Sequence, residues 1–190
     1  MIDYTVVPLA GLMEQLQRED IKAVLKKFSC EAEPDLEDFL HNKAMAYEDS
    51  RKGSTFLLID GLDSMNVIAY YTLGNTSIDL SEAKPKKKKK IMGDFPDRDH
   101  RNFFPAYLIG QIGRCDNYSH EDLPGETILS EAYHTLKGAA TVIGGKLVVL
   151  ECREHMYKKV YEGLDYKKMQ DKLTDNGLYM LYRRVDFSMY

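Results

Sequence analysis

The feature that most constrains the fold is a long helical segment placed between two strand-like segments. Within residues 125–143 the apolar side chains follow helical spacing, and Gly144-Gly145 ends the segment. Residues 104–115 before it have the central apolar run of an interior strand, and residues 146–152 after it read as a buried strand. Two glycines in the first strand predict a bulge or a close approach of a ligand. This order of elements predicts an α+β fold.

The segments before this block are also helical and strand-like. Residues 19–28 and 34–47 each place apolar side chains on one helical face, which predicts two amphipathic helices ahead of the sheet. Residues 55–60 and 66–73 are β-prone, and the connection over residues 61–65 predicts an antiparallel hairpin.

The end of the chain predicts a short helix and a second hairpin. Residues 155–164 have the pattern of the short helix. Residues 166–173 and 178–185 follow it, and Asp175-Asn176-Gly177 between them is a typical hairpin turn. We therefore expect a mixed, mostly antiparallel sheet flanked by helices.

Composition limits the class of protein. A chain of 190 residues with 44% hydrophobic content can bury the core of one domain, so residues 1–190 are interpreted as a single domain. A long uncharged apolar run is absent, and so is a basic segment followed by an apolar one at the N-terminus, which argues against membrane spans and secretion and predicts a cytoplasmic protein. Cys30, Cys115 and Cys152 are odd in number and widely spaced, so we expect reduced, partly buried thiols and no metal.

The net charge of −4 conceals a basic segment, Lys84-Pro85 followed by the five lysines Lys86–Lys90. The favoured interpretation is a flexible, solvated loop over about residues 79–101. The alternative is that the lysines contact phosphates and give the protein affinity for RNA, which is a possible but not favoured partner.

The segment Val160-Tyr161-Glu162-Gly163-Leu164-Asp165-Tyr166 resembles the Phe-Tyr-Glu-x-x-Gly-Phe segment of the GCN5-related N-acetyltransferases, the GNAT family. The order of elements over residues 104–166 also resembles the cofactor-binding half of that family. The resemblance implies a GNAT fold, acetyl-CoA as cosubstrate without a metal, and transfer of an acetyl group to a primary amine of unidentified nature. It places Tyr161 where the family has its catalytic tyrosine, a phenol that protonates the leaving thiolate.

The same resemblance predicts where the cofactor binds. Backbone groups of Ile112, Gly113 and Arg114 would pair with the pantetheine amides and polarise the thioester carbonyl. The family's phosphate loop, Gln/Arg-x-x-Gly-x-Gly/Ala, is poorly matched, because only Gly125 falls on a signature glycine and Glu121 and Asp122 bring negative charge. The residues of the loop and helix start that are predicted to bind cofactor are His120, Leu123, Gly125, Glu126 and Thr127.

Several alternatives stay open. Segments of the first half, such as Phe28-Ser29-Cys30, resemble more narrowly the GNAT toxins of toxin–antitoxin modules, which acetylate aminoacyl-tRNA. A GNAT-fold interaction module with a degenerate cofactor site is the non-enzymatic alternative. The general base is not identified; Glu151, His120 and Asp116 are candidates by position. A homodimer formed through the aromatic C-terminal hairpin is a further possibility.

Overall fold

A computed structural model describes residues 2–62 and 66–190 of the chain. In this part of the chain a sheet of seven strands has the order β1-β2-β3-β4-β5-β7-β6. Strands β4 and β5 are parallel, whereas the pairs β1–β2, β2–β3, β5–β7 and β6–β7 are antiparallel. The prediction of a mixed, mostly antiparallel sheet is confirmed. The strands are Tyr4–Pro8 (β1), Ser54–Asp60 (β2), Val67–Asp79 (β3), Phe103–Arg114 (β4), Leu147–Cys152 (β5), Lys167–Lys168 (β6) and Tyr179–Arg184 (β7).

Helices form in each of the four segments where the sequence predicted one, and two further α-helices, residues 9–15 and 85–92, were not predicted. They are Leu9–Gln15 (α1), Arg18–Leu25 (α2), Pro34–Asp38 (α3), Ala44–Asp49 (α4), Pro85–Met92 (α5), Gly125–Ile143 (α6) and Glu154–Met156 (α7). A π-helical turn joins α3 to α4, and a second one, Tyr157–Tyr161, continues α7. The expectation that helices open the fold was incomplete, because β1 and α1 precede them; the β-branched run after Tyr4 is the sequence signal for that strand.

The chain divides into two compact units. Unit 1 comprises Met1–Gly74 and Gly110–Tyr133, and unit 2 comprises Asn75–Ile109 and His134–Tyr190. In unit 1, Phe28, which follows the end of α2, and Phe39, in the α3–α4 segment, are buried against Tyr70, with Phe28 edge-on to Tyr70 at 5.2 Å between ring centroids. Aromatic packing of this kind buries a large apolar area and fixes the helices on β3.

Unit 2 has its own core. Ile91, Phe104, Leu147 and Tyr182 are among its buried side chains, and they come from α5, β4, β5 and β7. The interpretation of residues 1–190 as a single domain stays a prediction.

The interpretation of residues 79–101 as a loop was wrong. Strand β3 extends to Asp79, and the lysine run forms α5, which begins with Pro85 at its first position. Proline at a first helical position loses no hydrogen bond, and lysine is a good helix former. Lys88 is buried because α5 turns this residue inward, where its ammonium donates to the Arg101 carbonyl at 2.6 Å.

The two predicted hairpins have different outcomes. Strands β2 and β3 pair antiparallel as expected, but residues 63–65 of the connecting turn lie outside the described residues. In the C-terminal hairpin the first strand is only Lys167–Lys168, paired with Leu181 and Tyr182. Gly177 adopts φ +74° in its turn, as an Asn-Gly turn requires.

Three further findings concern the described residues. No helix among them is long and apolar enough to cross a membrane. No group of three or more histidine, cysteine or acidic side chains among them could hold a metal ion. Cys30, Cys115 and Cys152 are free thiols and are buried.

Candidate active site

In unit 1, the second half of β4 carries the backbone groups that the sequence assigned to pantetheine. The N–H of Gln111 donates to the Thr72 hydroxyl at 2.8 Å, so a side chain takes the place of a strand carbonyl at this point. A Cβ on Gly110 would lie 2.9 Å from the same hydroxyl. A side chain at residue 110 would therefore displace Thr72 and disturb the path of β4 into Ile112, Gly113 and Arg114.

Gly113 is needed for packing inside unit 1. A Cβ at this position would lie 3.1 Å from a Leu36 methyl and 3.5 Å from the rings of Phe28 and Tyr70. The two glycines of β4 thus mark close approaches of the protein's own atoms. The sequence left open whether the close approach involved a ligand.

Arg114 ties the end of β4 to the loop before α6. Its guanidinium donates to the Leu123 carbonyl at 2.8 Å. Leu123 is fully buried, and its own N–H donates to the Ser119 carbonyl at 3.2 Å. Arg114 therefore holds the loop in place, whereas a contact of Arg114 with phosphate stays a prediction.

The acidic side chain of Asp122 is turned back onto the loop. Its carboxylate accepts the Ser119 N–H and the Ser119 hydroxyl, both at 2.8 Å, and the Ser119 hydroxyl accepts the Asp122 N–H at 3.2 Å. These bonds, led by the one from the Ser119 N–H, lower the pKa of Asp122. The reciprocal bonding is that of a capping box, and the Ser-x-x-Asp spacing is the sequence signal that reveals it. His120 and Glu121 are exposed.

The start of α6 offers two backbone donors. The Thr127 N–H donates to the Pro124 carbonyl at 3.0 Å, so this group and the Leu123 N–H are both already bonded. In the part of the chain that the structure describes, the N–H groups of Gly125 and Glu126 have no recorded acceptor, as expected for the first turn of a helix. No atom lies within 4 Å of a Cβ built on Gly125, so the space beside it is open. Unpaired N–H groups at a helix start suit an anion.

In unit 2, Tyr161 ends the π-helical turn and is held by a Schellman motif. The Tyr166 N–H donates to the Tyr161 carbonyl at 3.0 Å, and the Asp165 N–H donates to the Glu162 carbonyl at 3.3 Å. Asp165 has φ +61°, the left-handed conformation that this position of the motif requires and that glycine usually supplies. The residue that departs from the family segment therefore keeps the backbone shape that glycine would give.

The same motif packs the side chain of Tyr161. Its ring lies edge-on to the Tyr166 ring with 5.4 Å between centroids, and only 5% of Tyr161 is exposed. Contact between these two positions commonly accompanies a Schellman motif. The ring orientation of Tyr161 is thus fixed by its own segment.

The three candidate bases have different surroundings. Asp116 in unit 1 accepts the Glu31 N–H at 2.8 Å, which gives this carboxylate a structural role. His120, also in unit 1, is exposed on the loop, and Glu151 is exposed on β5 in unit 2. None is singled out as a base by its contacts within its unit.

The sequence-predicted residues therefore fall into two groups. Unit 1 brings together Arg114, His120 and the start of α6, whereas Tyr161 and Glu151 belong to unit 2. Sequence reasoning missed Thr72, whose hydroxyl fixes the Gln111 N–H. A threonine in a buried strand gives no signal of such a role.

No protein-family model matches the sequence, and no curated protein matches it either. Solved structures do match. A structure of AtaT complexed with acetyl-methionyl-tRNAfMet has a TM-score of 0.69 and 17% identity, over 96% of this chain and 95% of that one. A structure of a bacterial toxin has a TM-score of 0.75 and 13% identity, over 97% and 92% of the two chains. The chain has the GNAT fold.

A third solved structure is a tyrosine-to-phenylalanine mutant of AtaT bound to the C-terminus of the antitoxin AtaR and acetyl-CoA. It has a TM-score of 0.68 and 16% identity, over 96% of this chain and 93% of that one. These comparisons confirm the fold that the segment around Tyr161 indicated. At these identities they show the fold alone.

Proposed function

We propose that the protein is an N-acetyltransferase that moves the acetyl group of acetyl-CoA to a primary amine. The observation that carries this proposal is the match of almost the whole chain to AtaT, of which two matching structures contain acetyl-CoA. Because fold alone does not define an activity, the local geometry must also suit the chemistry.

The start of α6 suits the pyrophosphate of coenzyme A. The N–H groups of Gly125 and Glu126 would donate to the phosphate oxygens, in the open space beside Gly125. The Asp122 carboxylate, which the sequence suggested would repel an anion, is bound by Ser119. When bound, acetyl-CoA supplies an acetyl thioester. Ile112, Gly113 and Arg114 would orient it through their backbone groups.

Tyr161 is proposed as the general acid. As the amine nitrogen bonds to the acetyl carbon and gives up a proton to water, the C–S bond breaks, and the phenol would donate its proton to the sulfur so that coenzyme A leaves as the neutral thiol. The Schellman motif fixes the backbone of Tyr161, and Tyr166 fixes its ring. This preorganisation supports a catalytic role, since a mobile phenol would lose orientation.

The amino group of an aminoacyl-tRNA is the favoured acceptor. The AtaT structure that contains acetyl-methionyl-tRNAfMet supports this choice. The lysines Lys86, Lys87, Lys89 and Lys90 of α5 are exposed and can contact phosphates. An antitoxin, as in the AtaT complex with AtaR, is a candidate partner.

Calorimetry and an acetyl-transfer assay test the proposal together. We expect micromolar, saturable binding of acetyl-CoA and transfer of labelled acetyl to methionyl-tRNA. Tyr161→Phe should keep the acetyl-CoA Kd within about twofold, and its kcat should fall by about 10²-fold or more, the range for loss of a general acid. Tyr157→Phe, on the same π-helical turn, is the matched control and should retain activity.

Two results would contradict this proposal in different ways. If millimolar acetyl-CoA gives no heat, the interaction-module alternative becomes the leading one. If acetyl-CoA binds but Tyr161→Phe has the kcat of the native protein, the cofactor site stands and the assignment of the acid is wrong.

A further inference from the structure

Unit 2 contains a cavity of about 770 Å³ that the proposed acetyl transfer does not use. Its walls come from five segments: the second half of β3, α5 with the segment after it, the start of β4, the turn between α6 and β5, and the end of β7. The apolar lining includes Ile91, Phe95, Ala106, Ile143 and Leu147. Pockets that bind small organic molecules have volumes of about 300–1,000 Å³ and mainly apolar walls, so this cavity has the size and character of a ligand site.

The lining of the cavity does not include the proposed catalytic tyrosine. Lys146 and Leu147, at the amino end of β5, line the cavity, whereas Tyr161 is not among the lining residues and packs against Tyr166. None of the residues proposed to bind acetyl-CoA lines it either. A ligand in this cavity would therefore occupy a site other than the one proposed for acetyl transfer.

The walls of the cavity are held in place by contacts within unit 2. The Tyr107 hydroxyl donates to the Gly144 carbonyl, and a Cβ on Gly145 would lie 2.8 Å from the Tyr107 ring. Phe95 packs edge-on against the fully buried ring of Phe104, with 5.5 Å between centroids. The pocket is thus preformed, which lowers the entropic cost of binding.

Positive charge lies at one side of the cavity. Lys146 and Arg184 line it, and the charge of Lys146 helps to lower the pKa of Asp186, after the hydrogen bonds from Ser188 to that carboxylate. A second cavity of about 360 Å³ shares these two residues and adds Lys90, Lys167 and Arg183. The carboxylates of the two linings are Asp94, Asp165 and Asp186, and Asp165 is paired with Lys167 at 3.4 Å. Cations are therefore in excess, in a chain whose net charge is −4.

We propose that this cavity binds a small amphipathic organic anion, with its apolar body among Ile91, Phe95 and Ile143 and its carboxylate or phosphate against Lys146 and Arg184. The apolar walls disfavour a purely polar anion, and the excess of cations over carboxylates disfavours a neutral or cationic ligand. This site is independent of the proposed acetyl transfer.

Fluorescence titration with 8-anilinonaphthalene-1-sulfonate, an aromatic anion, tests the site. Ile143 is 66% exposed and lines the cavity, whereas its neighbour Val142 is 83% exposed and does not. We expect Ile143→Glu to raise the Kd of the probe by about tenfold or more, because a carboxylate at the wall repels the sulfonate. Val142→Glu adds the same charge and should leave the Kd within about twofold.

The contribution of positive charge is measured in the same way. Arg184→Gln should raise the Kd of the probe by about three- to tenfold. Lys159 is an exposed lysine outside both linings, and Lys159→Gln should leave the Kd unchanged. Decanoate should displace the probe at a concentration about tenfold lower than decanol, which has the same chain without the charge. Circular dichroism melting curves show whether each variant is folded.

Three outcomes would overturn the proposal. The first is an equal Kd of the probe for the native protein, Ile143→Glu and Arg184→Gln. The second is displacement by decanol as readily as by decanoate, which would leave only an apolar cavity. The third is displacement of the probe by CoA, which would make the site part of cofactor binding. If acetyl-CoA does not bind at all, the proposed acetyltransferase activity is refuted, but the proposal of an anion site in this cavity is not affected.

Discussion

Five consecutive lysines in α5 are identical in sequence but not in environment, and this difference predicts their effects on stability. Lys88 is 6% exposed, and its ammonium donates to the Arg101 carbonyl at 2.6 Å and to the Asn102 side-chain oxygen at 3.3 Å. Lys87 and Lys89 are exposed. Replacing Lys88 with methionine keeps the aliphatic stem and the helix propensity but removes both hydrogen bonds.

The expected magnitude follows from those bonds. A hydrogen bond from a charged donor contributes about 1.5–3 kcal/mol to stability, and the 2.6 Å bond of Lys88 is short enough to supply most of this. A destabilisation of 1 kcal/mol lowers the Tm of a chain of this size by about 2–4 °C, so Lys88→Met should lower the Tm by about 3–12 °C. Lys87→Met and Lys89→Met should change the stability by no more than about 0.5 kcal/mol.

Thermal unfolding followed by circular dichroism measures all three variants under one condition. The decisive result is a Tm for Lys88→Met well below the Tm of Lys87→Met and of Lys89→Met. If the three variants melt within 1–2 °C of one another, a margin below the effect expected for Lys88, Lys88 does not anchor α5, and the segment behaves as the solvated loop that its composition suggested.

Other predictions concern strands, the Schellman motif and a thiol. Thr55 and Thr72 face each other on β2 and β3, but the Thr55 hydroxyl has no partner among the described residues whereas the Thr72 hydroxyl accepts the Gln111 N–H. In urea denaturation, Thr55→Val should therefore raise the free energy of unfolding by about 1 kcal/mol, and Thr72→Val should lower it by about 1–3 kcal/mol. Changes of the same sign would contradict this reasoning. Asp165→Gly should raise stability by up to about 1 kcal/mol by relieving the positive φ, and a loss above 1 kcal/mol would show that the side chain matters more. Burial raises the pKa of Cys152 to about 11 from an unperturbed 9.0, so the unfolded thiol releases its proton first as pH rises. The unfolding free energy should fall between about pH 9 and pH 11, and this fall should be shallower in Cys152→Ala; identical pH profiles would refute the assignment.

Much of the fold could be predicted from the sequence because the relevant signals are local. The helical spacing over residues 125–143, the glycines that end it and the strand-like runs on either side define α6, β4 and β5 without tertiary information. The segment around Tyr161 indicated the GNAT fold. The same segment contains its own Schellman motif, so its shape also depends on neighbouring residues only.

The parts that sequence could not predict depend on contacts between distant residues. Asp122 looked like an obstacle to an anion, and only the structure shows its carboxylate bound by Ser119. Thr72 and Gln111 are far apart in sequence, so their hydrogen bond gives no local signal. The cavity beside Ile143 is formed by five separate segments, and none of them has a pattern that predicts a pocket.

The sequence by itself determined the kind and order of most elements, with β1, α1 and α5 as the exceptions, because hydrophobic periodicity, glycine and proline act over a few residues. The tertiary structure decided which of several equivalent side chains are buried and paired. Lys88 is the clearest case, since its four lysine neighbours have the same chemistry and the same helix propensity. The carbonyl of Arg101 and the orientation of α5 on the core of its own unit select Lys88 from the run, and both are set by packing.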